Sequence, residues 1–427
     1  MAEIRPFQGL RYSISAGKLD DLVAPPYDVL SSDERDAFAA KNEHNVVHLT
    51  LPEQRSDDRS KFVKYARSAA ALAQWRREGA LALEAKPVFY RYKQTFVVPG
   101  TRDEIARTSV IALIKVEPYE KGVVLPHEQT FPKHKEDRLR ILEATRSHLE
   151  CIYGLFEDQD GRIFSSIDGA PAERVADVRT SDGVRHIIET ISDNRACNAL
   201  SMSLASKKVW IADGHHRYET ACTFREAQGK QGHLIPEDYM MMALSSMSDP
   251  GLVLLPTHRI LSKLPVEAVK VDEVLQRYFN LRKLPNGSLM NEISLLHASG
   301  TRAFGVALPG GAGWVATVSD LGKICELIDS GDSEQLKSLD VSILHKLILE
   351  KMFGVVGLDA ISYTRDSDEA VNAVKNGAAA AFLMNPPSVQ DMKSIAVGGE
   401  KMPQKSTFYY PKILSGLVMW SLNDFEP

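Results

Sequence analysis

The chain has 427 residues, of which 44% are hydrophobic and 25% are charged, and its formal net charge at pH 7 is −5. This length exceeds what one compact core usually holds, so we expect two domains. The composition is that of a globular protein of mixed α/β type, which excludes disordered and fibrous chains. The negative balance gives no electrostatic reason to expect nucleic-acid or membrane partners, so the expected ligands are small anions.

The cysteine spacing and the N-terminal sequence indicate which classes of protein are not expected. The four cysteines are far apart and form no CxxC pair, so we expect reduced core residues rather than a disulfide framework or a zinc knuckle. The N-terminus lacks the apolar region of a signal peptide, and no run approaches the ~18 apolar residues of a membrane span. We therefore expect a cytoplasmic protein.

The first part of the chain alternates helix and strand signals. Helices are predicted for residues 31–41, which begin with a capping-box pattern, and for about 57–78. The β-rich segments Val88–Val98 and Arg107–Val116 predict a hairpin. A charged helix is predicted from about Lys133 to Ser147. Its basic residues are expected to face solvent, and they are Lys133, Lys135, Arg138 and Arg140.

The loop Pro126-His127-Glu128-Gln-Thr130 precedes that helix and combines an imidazole, a carboxylate and a hydroxyl. Such a set is suited to proton transfer from an alcohol, which makes Glu128 a candidate base. His127 would polarise a phosphate or order the loop. The alternative is a buried structural His127 beside a surface Glu128.

The most informative segment is Asp213-Gly214-His215-His216-Arg217. A short buried strand is predicted before it and a helix after it, so the motif lies at a helix N-terminus. Free backbone N–H groups and the helix dipole favour an anion there. Gly214 permits close backbone approach, and Arg217 can donate two hydrogen bonds to a phosphate. The motif therefore predicts a phosphate site.

Asp213 is the exception in this basic motif, because a carboxylate beside phosphate is repelled unless it binds a cation or acts as a base. We therefore expect it to hold Mg²⁺ together with nucleotide phosphates, whereas the histidine spacing does not predict a zinc site. The alternative is that Asp213 is a helix N-cap and that His215 and His216 are ordinary surface residues.

The chain after about residue 260 restarts its strand and helix pattern. We place a domain boundary there, within about twenty residues, so that residues 1–260 form an N-terminal α/β domain and 261–427 a C-terminal one. The C-terminal domain carries Lys405, Ser406 and Thr407 after a glycine-rich turn. The segment lacks the spacing of a Walker motif. It is either an anion site, together with Lys412, or an exposed turn that leads into a terminal strand.

These strings together resemble a bacterial and archaeal domain-of-unknown-function family, number one thousand and fifteen. The resemblance spans nearly the whole chain. The segments that carry it are Arg5-Pro-Phe7, Pro25-Pro-Tyr-Asp-Val29, Leu125-Pro-His-Glu-Gln-Thr130, Asp213-Gly-His-His-Arg-Tyr-Glu219, Pro256-Thr-His-Arg259 and Met402-Pro-Gln-Lys-Ser-Thr407 through Leu417.

The Asp213–Arg217 string also resembles the motif of free-serine kinases with a ParB/sulfiredoxin-like fold. That resemblance implies a ParB/sulfiredoxin-like core, with a second α/β region that it leaves unexplained. It also implies phosphoryl transfer from ATP or ADP to free L-serine, with Mg²⁺ as cofactor and Glu128 as the base by analogy. Two rival functions are a non-catalytic nucleotide or phosphate sensor and a ParB-like nuclease, the latter disfavoured by the net charge of −5. The oligomeric state is left open.

Overall fold

The structure is a computed structural model that describes residues 2–130, 132–229, 232–265, 270–329, 331–355, 357, 360–403 and 405–427. Gln404 of the predicted C-terminal motif and the side chain of Lys133 lie outside this part. Within it, no helix is both long and apolar enough to cross a membrane.

The strands, in chain order, are β1 (Ile4–Arg5), β2 (Leu10–Tyr12), β3 (Leu81–Leu83), β4 (Phe89–Val97), β5 (Glu104–Lys115), β6 (Val124–Leu125), β7 (Ser147–His148), β8 (Ile152–Phe156), β9 (Ala172–Arg179), β10 (Arg185–Ile191), β11 (Val209–Asp213), β12 (Tyr239–Ser246), β13 (Val253–Leu254), β14 (His258–Leu261), β15 (Phe279–Pro285), β16 (Ala303–Ala307), β17 (Ala312–Val318), β18 (Ile361–Thr364), β19 (Ala380–Leu383), β20 (Tyr409–Tyr410) and β21 (Trp420–Ser421).

The α-helices are α1 (Leu19–Leu22), α2 (Ser32–Lys41), α3 (Val47–Thr50), α4 (Val63–Arg77), α5 (Pro132–Thr145), α6 (Arg162–Asp168), α7 (Asn194–Ala205), α8 (His215–Glu226), α9 (Val271–Leu275), α10 (Leu289–Ala298), α11 (Leu321–Glu326), α12 (Glu334–Lys337), α13 (Asp340–Ser342), α14 (Ser367–Lys375) and α15 (Val389–Val397). A π-helix, Ile343–Met352, continues α13. The 3₁₀ helix that matters for the site is Tyr27–Val29.

The chain forms two compact units. Unit 1 comprises residues 1–126, 130–253 and 409–427, and unit 2 comprises 127–129 and 254–408. The expected division was a single boundary near residue 260. In the structure the chain passes from unit 1 to unit 2 between residues 253 and 254, and it returns to unit 1 between residues 408 and 409. The three-residue loop 127–129, which lies in the first half of the sequence, also belongs to unit 2. The His127-Glu128 motif and Lys405–Thr407 therefore lie in unit 2, whereas Asp213–Arg217 lies in unit 1.

Unit 1 is built on a mixed sheet with the strand order β6-β11-β8-β12-β5-β4-β10-β9, and β1 pairs with β5. The predicted hairpin is confirmed, because β4 and β5 pair antiparallel. Strand β8 runs parallel to β12 and antiparallel to β11. Helices α7 and α8 cover the sheet with buried residues such as Leu200 and Tyr218, which belong to the same core as Ile152 and Met242. Burial of these side chains is the main stabilising term for the unit.

Unit 2 has its own sheet with the order β15-β17-β16-β19-β14-β18. Helices α10 and α14 pack on it through residues such as Ile293 and Val371, in a core that also holds Val315 and Leu383. Two units with separate sheets, helices and cores confirm the mixed α+β class.

Two predictions made from short stretches of the sequence are confirmed. Helix α2 begins with the capping box read from the sequence: Glu34 N donates to Ser31 Oγ at 3.2 Å, and Ser31 N donates to Glu34 Oε2 at 2.8 Å. The cysteines are free thiols, as expected, and Cys151, Cys197 and Cys325 are buried.

Candidate functional site

The Asp213–Arg217 motif forms a sharp strand-to-helix turn in unit 1. Strand β11 ends at Asp213, and α8 begins at His215. Gly214 lies between them with φ 94°, a conformation that favours glycine. A Cβ atom there would lie 2.6 Å from Ile152 Cγ2, so glycine is needed for space as well. The expected helix N-terminus is present, and its cap is Gly214 rather than Asp213.

The two histidines of the motif are not ordinary surface residues. His215 is buried with 5% exposure, and His216 is partly buried. Thr220 Oγ1 donates to the carbonyl oxygen of His216 at 2.7 Å, which fixes the first turn of α8. The surface alternative for this pair is therefore wrong for His215.

Asp213 is paired with a lysine from the C-terminal segment. Lys412 Nζ lies 3.2 Å from Asp213 Oδ2, and both side chains are largely buried, at 14% and 17% exposure. This contact places an ammonium group beside the carboxylate that we expected next to a phosphate. The sequence did not predict the pairing, because the two residues are far apart in the chain.

Arg217 extends from the first turn of α8 towards β8. Its Nη1 donates to the carbonyl oxygen of Cys151 at 2.6 Å, and its guanidinium carbon lies 5.8 Å from the centre of the Tyr27 ring. Its Nε is buried and makes no hydrogen bond to any residue in the described part of the chain. Burial lowers the pKa of Arg217, but the carboxylates of Glu150, Asp213 and Asp28 outweigh this and raise it. Arg217 is therefore a fixed cation.

Glu150 is a buried carboxylate that the sequence did not predict as part of the site. Its Oε1 accepts hydrogen bonds from Tyr27 N at 3.1 Å and from Ser415 Oγ at 2.9 Å. Its Oε2 lies 3.7 Å from Arg138 Nη1. The Pro25–Val29 segment could have indicated such a residue, because the backbone N–H groups of this stiff loop need hydrogen-bond acceptors.

Arg138 of α5 does not face solvent, contrary to the prediction for the basic residues of this helix. It is 6% exposed, and its guanidinium lies 3.9 Å from the centre of the Tyr27 ring. A cation over an aromatic face, with Glu150 and Asp137 as carboxylate partners, is stable away from water. Lys135 of the same helix pairs with Glu219 at 2.9 Å. The solvated-face expectation is therefore wrong for Arg138, whereas the side chains of Lys135 and Arg140 are 37% and 41% exposed.

His127 and Glu128 lie against the Lys405–Thr407 segment in unit 2. His127 is buried with 0% exposure, and its Nε2 lies 2.9 Å from Thr407 Oγ1. Glu128 Oε1 accepts a hydrogen bond from Lys405 N at 2.9 Å. Met402 N donates to the carbonyl oxygen of His127 at 2.7 Å. The loop and the segment therefore form one structural element, although the sequence had placed them in different domains.

The Lys405–Thr407 segment is a strained turn rather than an exposed one. Lys405 has φ 56°, a left-handed conformation that costs energy for a residue with a side chain. Ser406 and Thr407 are buried; Ser406 Oγ donates to the carbonyl oxygen of Pro403, and Thr407 meets His127. Both hydroxyls therefore already have partners within unit 2.

Arg259 of the Pro256–Arg259 motif supports this turn from inside unit 2. It is fully buried, and its Nη2 donates to the carbonyl oxygen of Lys405 at 3.3 Å, while its Nε donates to His345 at 3.1 Å. Burial lowers the pKa of Arg259 to about 10. A buried guanidinium that holds the carbonyl of a strained residue keeps the turn in one conformation.

The predicted catalytic and binding residues thus fall into two groups. Asp213, Gly214, His215, His216 and Arg217 lie in unit 1, with Lys412 and Glu150 added by the structure. His127, Glu128, Lys405, Ser406 and Thr407 lie together in unit 2. Within the described residues, no three His, Cys, Asp or Glu side chains are arranged to hold a metal ion by themselves.

Comparisons with known proteins place the chain in a family. No curated protein matches the sequence. Among solved structures, a free serine kinase variant in complex with AMP matches with 13% identity and a TM-score of 0.36, over 70% of this chain and 87% of its own. A conserved hypothetical protein from Pyrococcus furiosus matches with 14% identity and a TM-score of 0.36, over 74% of this chain and 97% of its own.

A third structure, SbnI with a C-terminal truncation from Staphylococcus aureus, matches with 10% identity and a TM-score of 0.35, over 71% of this chain and 85% of its own. TM-scores and identities this low give no basis for transferring a function. The model of the family described as "Protein of unknown function (DUF1015)" matches residues 4–342. The chain therefore belongs to the DUF1015 family.

Proposed function

We propose that this protein is a small-molecule kinase that transfers a phosphoryl group from ATP or ADP to the hydroxyl of free L-serine, giving O-phospho-L-serine. The observation that carries the proposal is the turn at Asp213–Arg217, where the start of α8 meets Lys412. The resemblance of this string to the motif of free-serine kinases supplies the reaction class. We place the reaction in the cytoplasm.

Phosphoryl transfer depends mostly on alignment and on neutralising charge, so a fixed array of donors is the main requirement. The first N–H groups of α8 and the cations of Arg217 and Lys412 are the proposed donors to the phosphates. Their positions are set in advance by contacts with Cys151 and Asp213, respectively. His215 and His216 are proposed to contact the same phosphates. Such preorganisation avoids a reorganisation cost during the reaction.

In the reaction, the serine oxygen forms a bond to the terminal phosphorus, and the bond from that phosphorus to its bridging oxygen breaks. ADP leaves when ATP is the donor, and AMP leaves when ADP is the donor. The serine hydroxyl proton passes to a base, for which Glu128 is the proposed residue. His127 is proposed to order the Glu128 loop through Thr407. Lys405, Ser406 and Thr407 are proposed to contribute to nucleotide binding.

The donor set at the turn fits a magnesium ion only in part. Asp213 supplies one carboxylate, and a single protein carboxylate with nucleotide phosphates is a common Mg²⁺ environment. Bound Mg²⁺ would neutralise charge on the phosphates. Lys412 already lies beside Asp213, so this chain's own residues supply part of that neutralisation.

The test is an acceptor panel. Purified protein is incubated with Mg²⁺, ATP or ADP, and single free amino acids, and products are identified by mass spectrometry. We expect O-phosphoserine only with serine. Nucleotide-induced thermal stabilisation with no product from any acceptor would overturn the kinase assignment in favour of a sensor. Salt-sensitive DNA binding would instead indicate the nuclease.

A matched pair of variants tests whether kinase activity depends on the Asp213–Arg217 turn. Arg217→Lys keeps the charge at the start of α8 but removes the planar fork, so it should lower kcat/KM by about tenfold or more. Arg225→Lys is the control, because Arg225 lies at the other end of α8 and pairs with Asp238. Equal activities for the two variants would show that Arg217 does not contact the phosphates.

A further inference from the structure

Unit 1 contains a cavity of about 410 Å³ that none of the roles above uses. Pockets that hold drug-sized ligands have volumes of about 300–1,000 Å³, so the cavity is large enough for a nucleoside. Its apolar wall is formed by the turn before the Tyr27–Val29 helix, by α2 and by the C-terminal segment. The residues of that wall are Val23, Ala24, Pro25, Val29, Leu30, Phe38, Pro411 and Leu414.

The rim of the cavity is polar and carries both signs of charge. Arg179 ends β9, and Thr180, Ser181 and Asp182 come from the turn that follows it. Glu34 and Lys41 come from α2, and Asp20 comes from α1. A simple phosphate needs donors and no apolar wall, and serine is much smaller than the cavity. A ligand with a flat apolar part and several hydroxyls suits both the wall and the rim.

His186 adds a neutral polar group to the same cavity. It is buried, with Nδ1 2.6 Å from Tyr92 Oη and Nε2 3.2 Å from Thr180 Oγ1. Burial lowers the pKa of His186 to about 4, so the ring is uncharged at neutral pH. The inner part of the cavity is therefore uncharged at His186, and the charged groups lie at the rim.

Lys412 connects the cavity to the phosphate-binding turn. Lys412 is one of the residues that line the cavity, and its Nζ lies 3.2 Å from Asp213 Oδ2. The backbone next to it is also fixed, because Gln94 Nε2 donates to the carbonyl oxygen of Lys412 at 2.9 Å. A ligand that fills the cavity therefore contacts the residue whose ammonium group lies at the start of α8.

We propose that this cavity binds the nucleoside of the phosphoryl donor, with Lys412 between the nucleoside and the phosphates. The assignment rests on the proposed function, because it names the donor subsite of the same site. The base lies against Phe38 and the aliphatic wall, and Asp182 accepts hydrogen bonds from ribose hydroxyls, a role for which carboxylates are suited. It also gives the Pro25–Val29 segment a role, since Pro25 and Val29 form part of the wall.

The test fills the cavity without touching the turn. Ser181 is exposed on the β9–β10 turn and lines the cavity, so Ser181→Trp places an indole in the space proposed for the nucleoside. Ser206→Trp is the control, because Ser206 is an exposed residue of unit 1 after α7 that does not line this cavity. Binding of ADP, adenosine and inorganic tripolyphosphate is measured by titration calorimetry, and folding is checked by thermal melting.

We expect Ser181→Trp to weaken ADP and adenosine binding by about tenfold or more and to leave tripolyphosphate binding within about twofold. Ser206→Trp should bind all three like the unchanged protein. If Ser181→Trp does not fold, Ser181→Leu is used with the same criteria. Equal ADP binding by the Ser181 variant and the unchanged protein would overturn the cavity assignment.

The outcome also separates this proposal from the kinase proposal. Loss of ADP binding in the Ser181 variant, together with no phosphoserine from the unchanged protein, supports the nucleoside site and rejects the kinase. Phosphoserine formation that Ser181→Trp leaves unchanged supports the kinase and rejects the cavity as its nucleoside site. No binding of ADP or adenosine to the unchanged protein rejects the cavity assignment directly.

Discussion

Lys412 Nζ lies 3.2 Å from Asp213 Oδ2, so a cation from the C-terminal segment is held at the first residue of the Asp213–Arg217 motif. Pairs of this kind, each largely buried, are stable only when both partners are present, because either charge alone is poorly solvated. The pair explains how a carboxylate is tolerated where phosphate is expected. It also makes the C-terminal segment part of the candidate site.

Lys412→Met removes this cation while keeping the length of the side chain. If Lys412 contacts the phosphates, kcat/KM should fall by about 10²-fold, the usual cost of losing one donor to developing charge. The measurement is steady-state kinetics of O-phosphoserine formation. Lys115→Met is the control, since Lys115 pairs with Glu3 at 3.1 Å elsewhere in unit 1. A similar loss in both variants would show that the effect of Lys412 is not specific to the site.

Gly214→Ala tests the backbone of the turn. The added Cβ would lie 2.6 Å from Ile152 Cγ2 at φ 94°, so strain and overpacking should cost about 1–3 kcal/mol of stability. Thermal unfolding measures this as a lower Tm. Gly229→Ala is the matched control, because Gly229 also has a positive φ, 66°, but no atom within 4 Å of the added Cβ. A Tm shift no larger than that of the control would contradict the close packing at Gly214.

Glu128→Gln separates two roles of this carboxylate. The amide oxygen can still accept the hydrogen bond from Lys405 N, so the turn should persist and Tm should change little. An amide cannot take the serine proton, so kcat should fall by about 10²-fold or more. Glu128→Ala should lower Tm as well, because the Lys405 N–H then loses its acceptor. Normal turnover by the Gln variant would leave Glu128 a structural residue only.

His148 should make the protein sensitive to acid. It is buried and stacks on Trp420 with 5.5 Å between ring centres, and burial lowers its pKa from 6.5 to about 4. The unfolded chain binds this proton below pH 6.5 and the folded chain only below about 4, so stability falls as the pH drops between these values. Each pKa unit corresponds to about 1.4 kcal/mol, so the total effect is of the order of a few kcal/mol.

His148→Phe keeps the stacking and removes the titration, so its Tm should decline less between pH 6.5 and 4 than that of the unchanged protein. The exposed His233 provides a control as His233→Gln, which should follow the unchanged protein. Parallel declines for the His148 variant and the unchanged protein would assign the acid sensitivity to other groups.

The sequence predicted the parts of the site that depend on neighbours in the chain. The strand before Asp213, the helix after it and the capping box at Ser31 follow from local patterns and are present. The contact between Lys412 and Asp213 and the burial of Arg138 and Glu150 depend on packing between distant segments. A single sequence carries no period or spacing that reports such contacts.

The same reason explains the domain assignment. A restart of the strand and helix pattern near residue 260 is visible in the sequence, but the return of residues 409–427 to unit 1 and the inclusion of 127–129 in unit 2 are not. Two hydrogen bonds hold residues 127–129 in unit 2. Lys405 N donates to the Glu128 carboxylate, and Met402 N donates to the His127 carbonyl oxygen. The charge of α5 predicted that Arg138 faces solvent. Arg138 is buried instead, because its guanidinium lies over the ring of Tyr27, which is distant in the sequence.

The most direct test of the central claim is the stoichiometry of phosphoryl transfer, followed by ³¹P NMR with Mg²⁺, nucleotide and free L-serine, for the unchanged protein and for Asp213→Asn. The kinase account predicts that each O-phosphoserine formed is matched by one ADP from ATP, or one AMP from ADP, and that Asp213→Asn forms product far more slowly. Nucleotide that is bound but never consumed in the presence of serine would contradict it.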